Sequence, residues 1–146
     1  MMAQADTVKS TQAGWLLKTE PGSYSYADLE RDGKTVWDGV TNNLALQNIR
    51  KVKKGDKLLI YHTGDEKAIA GMAEATSEPY PDPNAGTPKL MVFDIKPKKR
   101  ARRQATLSEI KQIPELASSP LVRLPRLSVV PLDANEWTTI TELAGL

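Results

Sequence analysis

The chain of 146 residues contains no cysteine, one histidine and one phenylalanine. Without cysteine there is no disulfide framework, no thiol nucleophile and no thiolate metal site. With His62 as the single histidine, the usual zinc motifs and cysteine–histidine dyads are excluded as well. No G-x-G-x-x-G stretch and no P-loop occurs, so the common phosphate cradles are missing. No apolar run approaches the length of a membrane span, and none resembles a signal-peptide core. These absences lead us to expect a cytoplasmic protein with no metal, no cofactor and no membrane partner, working as a monomer.

What is present is ordinary in amount and uneven in placement. This length suits one domain burying about two-thirds of its unfolded surface. Hydrophobic content of 40% and charged content of 26% fit a globular chain. Residues 1–13 are small and polar and read as a disordered leader, which leaves 14–146 for the domain. The net charge of +2 hides a local excess: Lys96, Lys98, Lys99, Arg100, Arg102 and Arg103 fall within eight residues. A second basic group comprises Arg50, Lys51, Lys53, Lys54 and Lys57. Two such clusters on a nearly neutral chain point to a polyanion contacted locally, or to solvated loops. Lys98, Lys99, Arg100, Arg102, Arg103, Lys53 and Lys54 are the candidate phosphate ligands.

Short strands and short helices alternate irregularly. Trp15–Thr19 reads as a strand stopped by Pro21-Gly22. Ser25 and Asp28 form a capping box for a helix over 26–31, and Thr106 with Glu109 does the same further on. Leu44–Val52 has helical spacing, while Lys57–Thr63, Ala68–Thr76, Leu90–Ile95 and Leu127–Val130 read as strands. The proline-rich 78–84 stretch reads as a loop. Asp133 caps a last helix whose apolar face carries Trp137. With no repeats and no strict β-α alternation, the class is α+β around a small curved or closed sheet.

One stretch stands apart. Trp37-Asp38-Gly39-Val40-Thr41-Asn42 places one of three tryptophans beside a glycine and short polar side chains. An aromatic surface with hydrogen-bonding groups at its edge suits a flat polar ring, and stacking one base is worth about 1–3 kcal/mol. The same residues also serve as a buried anchor, a turn and an N-cap. On the residues alone a base pocket, a nucleotide site and a peptide site all remain open. An enzyme of nucleic-acid or nucleotide modification using Asp38 or His62 as acid–base groups is a further alternative, as is a protein-interaction module using the Pro79–Asn84 loop.

Several motifs then occur in a telling order: Trp15-Leu16-Leu17-Lys18-Thr19-Glu20-Pro21, Trp37 to Asn42, and Ile60-Tyr61-His62-Thr63. Gly71-Met72-Ala73-Glu74, Tyr80-Pro81-Asp82-Pro83 and Arg126-Leu127-Ser128-Val129 follow. From Trp15 to the C-terminus the chain resembles the EVE domain family, which is similar in fold to the PUA and YTH domains. The resemblance implies a small, strongly curved β-barrel flanked by short helices. It also implies non-catalytic binding of a modified base in DNA or RNA: methylated or hydroxymethylated cytosine, or N6-methyladenine. Carried over by motif, Trp37 is an aromatic wall and Asn42 an edge reader with Asp38 beside it. Lys18, Thr19, Tyr61, His62 and Ser128 line the same cavity. Thr41 stands where relatives commonly carry arginine, which removes one cation.

Overall fold

Trp15, Leu16 and Leu17 are buried one after another, and this run lies in an inner strand of the sheet. In the computed structural model, which describes residues 12–146, they belong to strand β1 (Gln12–Thr19). A strand apolar on both faces needs neighbours on both edges. β3 (Lys57–His62) pairs with β1 in parallel, from Trp15 opposite Leu58 to Thr19 opposite His62. On the other edge β7 (Val129–Asp133) pairs antiparallel.

The connection from β1 to β3 carries α1 (Tyr26–Asp32), β2 (Thr35–Trp37) and α2 (Asn43–Ile49). β4 (Ala68–Ala75) returns antiparallel to β3, and β6 (Met91–Thr106) pairs with β4. β2 and the short β5 (Tyr80–Pro81) both attach to β6. The order is β2-β6-β4-β3-β1-β7, with β5 on β6. After β6 come α3 (Leu107–Lys111), a 3-10 turn at Pro114–Leu116 and α4 (Pro120–Arg123); α5 (Ala134–Leu143) follows β7. The class is α+β, as expected. Among the described residues no pairing joins β2 to β7, so the ladder is an open mixed sheet and not a closed barrel. The outer flank of β7 is packed by α2, α4 and α5 instead of a strand.

Local chemistry accounts for the helix ends. Ser25, Thr106 and Asp133 each cap a helix whose third residue reaches back to close a capping box. The expected α2 is shorter than its apolar spacing suggests and starts at the Asn42 cap. The last strand sits two residues later than expected and contains Pro131, which an edge strand tolerates because its missing N–H points away from the ladder. The expected leader is also shortened: Gln12 and Ala13 belong to β1, with Gln12 opposite Asp133. Its residues 1–11 lie outside the described part.

The largest departure concerns the basic cluster. Instead of following a strand that stops at Ile95, Lys96–Arg103 lies inside the 16-residue β6. Ile69 faces Ala105 while Gly71 faces Arg100, so residues 101–104 bulge opposite a single residue of β4. The bulge carries Arg102 and Arg103 to the end of α5, where both backbone N–H groups donate to the Ala144 carbonyl at 3.0 and 3.4 Å. The Arg103 guanidinium donates to the Leu143 carbonyl at 2.5 Å. A cation at a helix C-terminus meets the negative end of the helix dipole.

Candidate functional site

At the C-terminal end of β1 the chain encloses an open cavity of about 550 Å³, a size suited to a small ligand. β1 delivers Lys18 and Thr19, the turn before α1 delivers Ser23 and Tyr24, and the 35–42 segment forms the facing wall. Ser128, just ahead of β7, completes it. The structure therefore brings together six of the residues singled out in the sequence: Lys18, Thr19, Trp37, Asp38, Asn42 and Ser128.

Four of them are held by contacts of their own. The Lys18 ammonium donates to the Pro125 carbonyl at 2.9 Å and lies 5.6 Å from the centre of the Tyr61 ring. Its partial burial pushes its pKa below the usual lysine range. The Thr19 hydroxyl donates to the Tyr24 carbonyl at 2.7 Å, which fixes the turn. Trp37 is 8% exposed and packs into the core, so only a strip of its ring meets the cavity. Gly39 has φ +79°, with no neighbour within 4 Å of where a side chain would start. Glycine is needed there for the left-handed backbone. Asn42 uses its side-chain oxygen to accept from the Ala45 N–H at 3.0 Å. Its NH2 group is what it has left to offer a ligand, so it is a donor and not the acceptor that an exocyclic amine requires. Asp38, exposed on the rim, has that acceptor.

Tyr61 and His62 lie elsewhere. Tyr61 is 3% exposed and sits in the core beneath Lys18. His62 is 7% exposed; its Nε2 accepts the Tyr26 N–H at 3.0 Å, which places the ring proton on Nδ1, 3.0 Å from Glu66 Oε1. Both nitrogens are engaged in holding α1 and the β3–β4 turn, so the acid–base alternative for His62 has no geometry to support it.

Sequence reasoning missed Tyr24, which lines the cavity and donates its hydroxyl to Asp32 at 2.7 Å. Burial first, and the Asp32 carboxylate beside it, hold the phenol above its ordinary range. The available signal was a polar aromatic set between a Pro-Gly turn and the Ser25 cap.

The basic clusters do not line the cavity. Lys98 is 3.2 Å from Glu74, and Arg100 pairs with Glu30 while lying over the Tyr26 ring at 5.6 Å. Lys53 and Lys54 precede β3, hence sit at the start of the β1–β3 pair, whereas the cavity is at its end. Among the described residues no group of three or more acidic or histidine side chains is arranged to hold a metal. No described helix is long and apolar enough to cross a membrane.

The model of the EVE domain family matches residues 13–143. The chain belongs to the EVE domain family. Among curated proteins this EVE domain is 29% identical, over a 175-residue alignment, to thymocyte nuclear protein 1 of Homo sapiens, covering 97% of this chain and 78% of that one. Among solved structures, Rpa0253 from Rhodopseudomonas palustris superposes with a TM-score of 0.86 at 36% identity, covering 91% of this chain and 93% of that one. The human THYN1 protein, solved in complex with DNA containing 5-methylcytosine, superposes with a TM-score of 0.78 at 27% identity, covering 91% of this chain and 98% of that one.

Proposed function

We propose that this EVE domain binds DNA carrying a methylated cytosine and takes the modified base, turned out of the stack, into the Lys18–Trp37–Asp38 cavity. The observation that carries the reading is the convergence of these side chains at one cavity in a domain similar to a DNA-bound relative. The edge chemistry supports cytosine. Its pairing edge presents a donor followed by two acceptors, and the cavity offers one acceptor, Asp38, and two donors, the Asn42 NH2 and the Lys18 ammonium. Thymine, with an acceptor at that donor position, sets an oxygen against the Asp38 carboxylate. N6-methyladenine keeps one exocyclic N–H and satisfies only part of the set.

The methyl group itself adds little. Burying it against Val36, Val40 and the Trp37 edge is worth about 0.8 kcal/mol, or roughly a fourfold preference over unmodified cytosine. Most of the affinity then comes from the base edge and phosphate contacts.

Tryptophan fluorescence titration tests this with oligonucleotides of DNA or RNA. Each carries one cytosine, 5-methylcytosine, 5-hydroxymethylcytosine or N6-methyladenine. The expected order places 5-methylcytosine DNA first, with the preference lost in Trp37→Ala. Equal affinity for all probes, or an unchanged preference in that variant, overturns the reading.

A further inference from the structure

Among the described residues three large hydrophobic side chains are exposed: Val36 at 43%, Leu44 at 43% and Leu124 at 36%. Scattered exposed leucines are unremarkable, but these three are not scattered. Val36 lines the base cavity, and Leu44 and Leu124 line an adjoining groove of about 340 Å³ that shares Asn42 with it. Arg123 and Arg126 border the same groove. Neither arginine forms an ion pair among the described residues, unlike Lys98 and Arg100 on β6. The groove is also fastened to the cavity. Lys18, a cavity residue, donates its ammonium to the Pro125 carbonyl at 2.9 Å and its backbone N–H to the Ser128 carbonyl at 3.0 Å.

We propose that this groove is the docking surface for the nucleotides flanking the extruded base. Leu44 and Leu124 lie against the base and sugar next to the gap, and Arg126, with Arg123, meets the phosphates. The inference rests on the reader function proposed above. A strand whose base enters the cavity must leave it across the rim, and Asn42 joins the rim to this groove. The composition matches such a strand: apolar side chains for exposed base faces and sugars, guanidinium groups for phosphate oxygens. It also moves the phosphate contacts away from the basic run of β6.

The test compares 5-methylcytidine monophosphate with a 12-residue oligonucleotide carrying one 5-methylcytosine, over a range of salt concentrations. Leu44→Ala combined with Leu124→Ala is expected to weaken the oligonucleotide about tenfold while leaving the mononucleotide unchanged. Arg126→Gln is expected to lower the slope of log affinity against log salt by about one, and Lys99→Gln to leave it as it is. All four positions are exposed, so circular dichroism of the variants should match the wild type. If the wild type prefers 5-methylcytosine but neither groove variant differs from it, the groove assignment is overturned and the reader function stands. If the wild type shows no modification preference but Arg126→Gln still flattens the slope, the reader reading fails and the groove survives as a nucleic-acid surface. If the wild type binds no oligonucleotide, both fall.

Discussion

Two regions of this EVE domain carry chemistry of the kind nucleic acids demand, and the fold uses them differently. The basic run on β6 is the denser of the two, yet Lys98 and Arg100 are paired with Glu74 and Glu30, and Arg103 caps the end of α5. The cavity side has few charges, but Lys18, Asp38 and Arg126 face solvent or the cavity without an ionic partner among the described residues. Charge density along the chain and charge available to a ligand are different quantities. Surface ion pairs contribute at most about 1 kcal/mol each, so the β6 run gives the fold a little stability and occupies three of its six cations in doing so.

Substitutions at two glycines break this comparison most sharply. At Gly71, on the β6 side, a side chain would begin 2.4 Å from Tyr26 Cζ, in a ring that is 1% exposed and donates its hydroxyl to the Met72 carbonyl at 2.6 Å. Gly71→Val should undock α1 and cost about 3 kcal/mol or more in denaturant unfolding. Gly39→Ala, on the cavity side, meets no neighbour and should cost only about 1–2 kcal/mol for its backbone conformation. Equal losses at the two sites would refute the packing account.

Next in size is Asp38→Asn. Losing a charged hydrogen-bond acceptor should weaken binding of 5-methylcytosine DNA by about 1.5–3 kcal/mol, with an unchanged melting temperature because Asp38 supports no fold contact. Undiminished affinity would remove Asp38 from the edge-reading set. Smaller still is the contrast in salt dependence. Arg126→Gln, beside the cavity, should lower the slope by about one, whereas Lys98→Gln with Lys99→Gln should change it by less. A larger change from the β6 pair would return the phosphate contacts to that strand.

The smallest effect concerns the start of β6. The Tyr80 hydroxyl donates to Asp94 at 2.6 Å, and that hydrogen bond, more than burial, pushes its pKa up to about 12. The unfolded phenol titrates near its ordinary value of about 10. The protonated form is thus favoured by folding, so its contribution is intact below that value and lost as pH rises toward 12. Tyr80→Phe should flatten the alkaline stability profile in this window without altering DNA binding at neutral pH.

Much of this was readable from residues alone. The capping boxes at Ser25, Thr106 and Asp133 were legible because they are local: cap and partner lie three residues apart. The buried β1 and β3 announced themselves as unbroken apolar runs. Trp37, Asp38 and Asn42 were legible as a group for the same reason of proximity. Three things were not. The strand beneath the basic run was hidden because its exposed positions are all charged except Gln104 and its bulge breaks the period of two. The motif resemblance assigns Tyr61 and His62 to the cavity, but Tyr61 is buried in the core and His62 accepts from the Tyr26 N–H of α1. The Arg126 groove depends on contacts across the chain, such as Lys18 with Pro125, that no spacing encodes.

The crossover from β1 to β3 supplies all of the cavity wall except Lys18, Thr19 and Ser128. Within it, the five residues 38–42 include none that is buried. Apart from Gly39, whose backbone is left-handed, and Asn42, which caps α2, mutational drift in this segment should be largely uncoupled from folding and reach the cavity wall while the core bears little of the cost. Exchanging residues 38–42 between EVE domains is accordingly the smallest transplant expected to carry specificity with it.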